Sequence, residues 1–412
     1  MQPRKSLGEL LVHAPGDADI LNLLAATAAR QGRPETTISL LEQAIVSNPG
    51  NIDSRYNLGT HYLSLFRYEE AVAVLNEVLA IDARHATAAF NLGKSLKALG
   101  RQEEAARAFL QAMQNQPGYT KAMSERADSL IETGDFVSAG DLLQKSVAAH
   151  PDDVDLQFTR GRLMLWQRDW KAAIEAFDAA LSISPWHALS AAFKGIALRE
   201  ADQDIDAAAV DGLDRLVDVP VFSQMFPQSL NDGLIDAVTT HPSLFWERPN
   251  NSTIGGGQTG NLVNDPGDVV ARFVGALKSC VDSIVRDMAK DPSHLFARSI
   301  PKSWRYSIWA TVLSQGGHQT LHLHPGGWLF GVYYVEVPET ISSDENRGNE
   351  GWIEFGAPGY AYEPVRDPPV QHIQPIPGRL IVFPSSVFHR TLPFRGDGRR
   401  ISIAFDLIPT SW

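Results

Sequence analysis

The sequence predicts a two-domain α+β protein: an all-α helical-repeat solenoid followed by an antiparallel β-barrel with flanking helices. Three observations carry that expectation. The chain has 412 residues, more than the usual ~150 for one domain. Its first half shows a 34-residue self-similarity. Near residue 219 that period gives way to short runs of β-branched and aromatic residues between Gly, Pro, Asn and Asp. Hydrophobic residues at 44% and charged residues at 20% are the balance of a globular chain, and exclude general disorder.

The repeat is read from aligned columns. Pro49, Pro117, Pro151 and Pro185 stand at multiples of 34 residues, with Ala83 in the vacant slot. Upstream of the successive slots lies a small column of Ala25, Gly59, Gly93, Ala127 and Gly161, continued in register by Gly195. A second column holds Thr37, Ala71, Ala105, Ala139, Ala173 and Ala207, and a large apolar column holds Leu41, Leu75, Phe109, Leu143 and Phe177. This pattern resembles the tetratricopeptide repeat. Each unit is then two antiparallel helices. Small residues let the helices approach, the large residue fills the space between neighbouring units, and Pro stops the second helix. Pro15 is one period before Pro49, so Leu7–His13 reads as the end of a capping half-repeat. In the sixth copy Asp211 and Asp214 occupy apolar positions, as expected of a C-terminal cap or a handover to another domain.

The repeat domain is therefore placed at residues 1–218, with about six repeats, the first and last atypical. The resemblance implies a groove for a protein or peptide partner; the alternative is that the helices only hold or dimerise the second domain. His61, His85, His150 and His187 fall at scattered repeat positions and read as solvated or packing residues. The net charge of −12 disfavours a nucleic-acid partner and, in the first half, weakly favours basic partner segments. Cys280 is the sole cysteine, which excludes an internal disulfide or a Cys-cluster metal site; it reads as a small buried hydrophobe on a helix at Phe273–Met288. No targeting segment or membrane span is seen, so the expected location is cytoplasmic.

The second domain is placed at 219–412. Pro220, Pro227, Pro242 and Pro249 make its start irregular. Gly255, Gly257 and Gly260 spell G-x-G-x-x-G, but no strand is predicted before them and no helix after, so Asn250–Asp268 reads as a flexible loop and a candidate lid rather than a dinucleotide site. Asn250 and Asn251 begin glycosylation sequons, which have no meaning without secretion. Strands are predicted at Tyr306–Leu313, Leu329–Val337, Trp352–Phe355, Val370–Gln374, Arg379–Phe383, Phe388–Phe394 and Ile401–Ile408, spaced as in a jelly-roll or cupin-like barrel with Phe273–Met288 packed outside. Trp309, Trp328, Tyr333 and Tyr334 read as core and wall.

Within this region His318, His322 and His324 lie close together. Side chains at i and i+2 of a strand share a face, so His322 and His324 aim the same way, and His389 opens a later strand. Two such histidines plus one from a distant strand can build a one-faced metal site with open positions. A polar edge or hydrogen-bonding cluster is the other reading of the spacing.

The run from Trp304 through His322-Leu323-His324-Pro325-Gly326-Gly327-Trp328, Gly351–Gly356, Pro377–Ser385, His389–Phe394 and Arg400–Asp406 resembles the bacterial 2-oxoglutarate- and Fe(II)-dependent oxygenases, which often carry N-terminal tetratricopeptide repeats. The resemblance covers the whole architecture, with its motifs over about 303–409. It implies a double-stranded β-helix, Fe(II), and 2-oxoglutarate as cosubstrate. His322 takes the first ligand position and His389 the distal one. Arg400, with Ser402 following, takes the cosubstrate-carboxylate position, for which a planar guanidinium fork is suited; Arg399 is the substitute. The acidic position of the family's His-x-Asp/Glu pair is filled by His324, expected as the third metal ligand, which leaves the site one unit more positive. Glu354 and Asp406 are other oxygen donors that spacing does not favour. His318 is expected to support the site by a hydrogen bond from behind. The implied activity is hydroxylation of a protein or peptide recruited by the repeats. A small-molecule substrate, a non-catalytic scaffold with a degenerate barrel, and a three-histidine dioxygenase that does not use 2-oxoglutarate are the alternatives.

Overall fold

The computed structural model describes residues 16–219, 222–225, 228–247, 252–264, 267–290, 294–343, 348–359 and 362–411. The expected capping half-repeat at Leu7–His13 with Pro15, the prolines at 220, 227 and 249, and the sequons at Asn250 and Asn251 lie outside the described residues. The chain divides into two compact units, Met1–Thr159 and Arg160–Trp412.

The first unit is built from helix pairs. They are α1 (Ala18–Arg30) with α2 (Pro34–Ser47), α3 (Ile52–Ser64) with α4 (Tyr68–Ile81), α5 (Ala86–Ala98) with α6 (Gln102–Asn115), and α7 (Thr120–Glu132) with α8 (Phe136–Ala149). Several starts carry a polar cap that satisfies an otherwise unpaired backbone N–H: the Asp17 side chain accepts from Asp19 N and Ile20 N, and Asn51 from Ser54 N. The small column proves to accommodate the large one within a pair. A Cβ on Gly59 would come within 2.8 Å of Leu75, and one on Gly93 within 2.5 Å of the Phe109 ring. Leu41, Leu75 and Phe109 are fully buried in one core. Successive first helices are also joined by side chains, Asn22 Nδ2 donating to Ser54 Oγ at 2.8 Å and Asn91 Nδ2 to Thr60 Oγ1 at 3.3 Å.

The second unit begins within α9 (Val154–Trp166) and continues through α10 (Trp170–Ile183), α11 (Ala188–Glu200) and α12 (Asp204–Asp211). The last repeat helices group with the barrel because they are bonded to it. Asp211 stands where the large apolar residue belongs, against Gly195. Its side chain pairs with Arg199 and accepts from Leu213 N at 3.0 Å, and its carbonyl accepts from Ser386 Oγ at 2.9 Å. Phe193 packs edge-on against Phe388, and Trp166 against Tyr362. The degraded sixth copy is a handover.

Next come β1 (Val217–Val219), α13 (Gln228–Thr239), β2 (Phe245–Trp246), β3 (Thr253–Gln258), α14 (Gly267–Met288) and α15 (Leu295–Arg298). The barrel proper holds β4 (Ser303–His322), β5 (Leu329–Glu336), α16 (Glu339–Ser342), β6 (Ile353–Phe355), β7 (Gln371–Ile373), β8 (Leu380–Pro384), β9 (His389–Thr391) and β10 (Arg400–Ser411). The sheet order is β1-β8-β5-β10-β4-β9-β6-β7, with β3 beside β4 and β2 beside β3, and the pairings are antiparallel. This is the curled antiparallel sheet expected of a double-stranded β-helix. The long strand β4 makes the curl. Its first part pairs with β10, and after Gly316 (φ 77°) its end pairs with β9 through Gln319 and His322.

Alternation along β5 sorts the two faces. Leu329, Tyr333 and Val335 lie under α13 and α14, with Leu230, Phe273 and Leu277. Phe330, Val332 and Tyr334 face the barrel interior with Leu313, Phe355 and Phe383. Both faces are buried, so the strand reads as an unbroken apolar run.

Three expectations are corrected. The span Asn250–Asp268 is not wholly a loop: Thr253–Gln258 is a strand between β2 and β4. Glycine reads as a strand breaker, yet here its bareness permits the pairing, since a Cβ on Gly256 would meet the Val312 carbonyl at 2.5 Å. The irregular stretch after 219 contains the helix α13. The helix expected at Phe273–Met288 starts at Gly267.

Candidate metal and cosubstrate site

The interior face of the sheet closes around a cavity of about 210 Å³. That is below the ~300–1,000 Å³ of pockets that enclose drug-sized ligands, so it suits a small molecule. His322, His324, His389, Arg400 and Ser402 all line it.

The histidines meet because of the strand register. His322, at the end of β4, lies directly opposite His389, at the start of β9. His324 follows two residues after His322, as alternation demands, and its backbone N–H donates to the Ser385 carbonyl at 3.2 Å. Ring centroids are 4.4 Å apart for His322–His389, 5.2 Å for His322–His324 and 5.3 Å for His324–His389. One nitrogen from each ring lies within 4.8 Å of the other two, and among the described residues this is the one cluster of three or more potential metal-ligating groups.

The other nitrogens are committed. His322 Nδ1 is 2.6 Å from the Thr320 carbonyl, His389 Nδ1 3.1 Å from the Val387 carbonyl, and His324 Nδ1 3.3 Å from Asp406 Oδ2. A carbonyl oxygen can only accept, so in those two contacts Nδ1 carries the proton and Nε2 offers its lone pair. His324 Nε2 is buried without a partner. The environment keeps the pair on the strands neutral. Burial pushes His322 down to about 4, helped by the neighbouring His324, and pushes His389 well below its ordinary range. Three imidazoles on one face, walled by Phe330, Phe355 and Phe383, fit a divalent transition metal such as iron.

Arg400 is fully buried and among the largest such side chains. Its guanidinium sits 4.9 Å from the Tyr334 ring centroid and 3.5 Å from Thr391 Oγ1, and its Nε has no partner. Among the described residues no carboxylate pairs with it, and burial lowers its pKa from the ordinary value. Ser402, two residues along β10, is buried on the same wall. Arg399 faces the other way and pairs with Glu336 at 2.8 Å.

The structure places the remaining candidates elsewhere. His318 is not in the cavity wall; its Nδ1 is 3.1 Å from the Gly316 carbonyl of its own turn, and it lies opposite Ile254 of β3. The support expected from His318 is instead given by the Thr320 and Val387 carbonyls and by Asp406. Glu354 is on the far face of β6, held by Arg390 at 2.5 Å and His372 at 3.1 Å. Gln258, Thr311, Gln319, Thr391 and Tyr334 also line the cavity. Period two from Arg400 through Ser402 and Ala404 puts Asp406 on the same face of β10, a signal present in the sequence; Asp406 does not itself line the cavity but backs His324.

Residues 307–406 match the model of the family described as "Putative 2OG-Fe(II) oxygenase". Residues 28–92, 86–119 and 124–188 match models of the tetratricopeptide repeat. The chain thus carries tetratricopeptide repeats in its N-terminal region and a match to this oxygenase family in its C-terminal region. Similar solved structures include pilF of Pseudomonas aeruginosa (22% identity, 53% of this chain and 96% of that chain, TM-score 0.41). They also include YrrB, titled a TPR protein with an unusual peptide-binding site (18%, 45% and 96%, TM-score 0.39), and MamA (17%, 40% and 91%, TM-score 0.38). No curated protein matches the chain. Among the described residues, no helix is long and apolar enough to cross a membrane.

Proposed function

We propose that the C-terminal domain is an Fe(II)- and 2-oxoglutarate-dependent oxygenase that hydroxylates a protein or peptide recruited by the repeats. The observation that carries this reading is a single cavity holding three convergent imidazoles and, on the adjoining wall, a buried guanidinium with no carboxylate of its own. His322, His324 and His389 would hold the iron through Nε2. Arg400 would pair with the distal carboxylate of the cosubstrate, flanked by Thr391 and Ser402. Iron, when bound, supplies the activation of oxygen that couples decarboxylation of 2-oxoglutarate to hydroxylation of a C–H bond.

The chain's own part is to bind and exclude. The Phe330, Phe355 and Phe383 walls keep bulk water from the histidines and strengthen each polar contact inside. A diacid entering the cavity would satisfy a buried charge whose contacts are otherwise the Tyr334 side chain and a long approach to Thr391, with no carboxylate among the described residues. That requirement favours 2-oxoglutarate use over a three-histidine reaction that needs no diacid. The substrate step rests on the fused repeat architecture, since such repeats serve protein and peptide binding.

The test is anaerobic titration of the metal-free protein with Fe(II) and then 2-oxoglutarate, following the visible charge-transfer band of the chelated complex. A band lost in both His322→Ala and Arg400→Ala supports the reading. Iron binding without a band points to 2-oxoglutarate-independent chemistry. No iron binding leaves a scaffold with a degenerate barrel.

A further inference from the structure

We propose that Asp406 is a positioning residue that makes His324 a metal ligand and supplies, from behind the imidazole, the negative charge that a carboxylate at position 324 would place on the metal directly. This rests on the proposed metal site and concerns one of its members. In that site two rings are held at Nδ1 by backbone carbonyls, whereas His324 alone is held by a side-chain carboxylate, at 3.3 Å. An Nδ1–H donated to Asp406 Oδ2 turns the Nε2 lone pair toward His322 and His389. The effect of a carboxylate behind a ligating imidazole is to fix its orientation and raise its basicity.

Charge separates this arrangement from a mere hydrogen bond. Three neutral imidazoles leave a divalent ion at its full charge, whereas two imidazoles and a carboxylate reduce it by one unit. Asp406 restores that unit one ring away. Its side chain is 14% exposed and no Lys or Arg pairs with it among the described residues. Its charge is therefore directed at His324.

The surrounding turn is shaped to hold the carboxylate. Gly327 N donates to the His324 carbonyl at 3.1 Å, and Trp328 N to the Leu407 carbonyl at 2.9 Å, which lashes the His324–Trp328 turn to β10. Gly327 lies over the acid: a Cβ there would come within 2.8 Å of Asp406 Oδ1 and 2.7 Å of Ser385 Oγ. Both of those atoms are buried without a partner. A side chain at 327 would push the carboxylate off its line to Nδ1.

The test uses Co(II) alone as the probe on the full-length metal-free protein, under argon, reading both the dissociation constant and the visible d–d spectrum. Wild type, His324→Ala, Asp406→Asn, the double variant and Gly327→Ala are compared. Asp406→Asn keeps the shape and removes the charge. It is expected to weaken Co(II) binding about 10–100-fold and to move the d–d bands toward those of His324→Ala. The double variant is expected to bind no more weakly than His324→Ala, because both changes remove one ligand. Gly327→Ala, which leaves both side chains in place, is expected to reproduce the spectral shift in weaker form. Failure of wild type to bind Co(II) overturns the metal-site reading itself. Wild-type-like affinity and spectrum in Asp406→Asn, with His324→Ala impaired, overturns only the role of Asp406. Additive losses in the double variant do the same.

Discussion

If Arg400 is kept for a ligand and not for the fold, removing its charge should stabilise the ligand-free barrel. A buried ion without a counter-ion carries an effective desolvation cost of several kcal/mol. Two contacts offset it. The Tyr334 face at 4.9 Å contributes about 2 kcal/mol when desolvated, and the 3.5 Å approach to Thr391 is too long to contribute much. Arg400→Met preserves the length and fills the site with apolar atoms. The expected gain is about 1–4 kcal/mol, the range seen when buried ions give way to packed hydrophobic residues. Hydrogen exchange of the β10 amides in the metal-free protein measures it, because those amides report opening of the barrel itself. Adding Co(II) and 2-oxoglutarate at ~100 times the dissociation constant should then stabilise wild type by about 2.7 kcal/mol and the variant far less. A variant less stable than wild type by more than ~1 kcal/mol would refute the reasoning and make the guanidinium a strut.

Other perturbations isolate single contacts. Gly161→Ala should cost about 1–3 kcal/mol by overpacking, against the ~0.5–1 kcal/mol gain Ala normally brings to a helix, because its Cβ would meet the Phe177 ring at 2.4 Å; thermal melts of Gly161→Ala with and without Phe177→Ala should show the two changes to be less than additive. Burial of His187 lowers its pKa to about 4. Below pH 6.5 the unfolded imidazole takes up a proton that the folded one refuses until about pH 4, so stability falls with pH across that window by up to about 3 kcal/mol. His187→Asn, which can still cap α11 toward Ser190 N, should flatten that part of the urea-midpoint profile. Glu354→Gln should leave Co(II) affinity unchanged while lowering barrel stability by about 1–2 kcal/mol, because Arg390 loses its ionic partner but stays 43% exposed and is screened; a tenfold loss of Co(II) affinity would contradict its placement on the far face.

What the sequence made legible follows from what local spacing encodes. Period 34 located every helix pair that the structure describes, because each copy must solve the same packing problem, visible as Gly93 against Phe109 and Gly161 against Phe177. Period two placed His322 and His324 on one face, whereas Arg400 and Ser402 follow only from the family resemblance. Thr253–Gln258 was not legible, since its three glycines carry no strand signal and their use depends on how closely β4 approaches. Nor was the direction of His318 legible: it shares parity with His322 and His324, but a register shift between Gln319 and His322 breaks that parity and leaves His318 opposite Ile254 of β3.

The substitution of His for an acid at position 324 shows where such reading stops. Taken alone, the His-x-His spacing implies a site more positive by one unit, and hence altered or lost chemistry. That inference assumes the charge must sit on the ligand. In the fold, β10 runs beside both β4 and β5, and every second residue from Arg400 shares one strand face: Arg400, Ser402 and Ala404 line the cavity, and the fourth, Asp406, lies behind His324. Arg400 lines the cavity with a positive charge that no carboxylate pairs among the described residues, and Asp406 stands behind the histidine end with a negative one. A single strand thus carries both electrostatic requirements of the proposed site, the anion anchor and the compensation of the metal. Their common parity means a one-residue slip of β10 would remove both together, so its long register with β4 from Arg400 to Pro409 is a condition of the chemistry as well as of the fold.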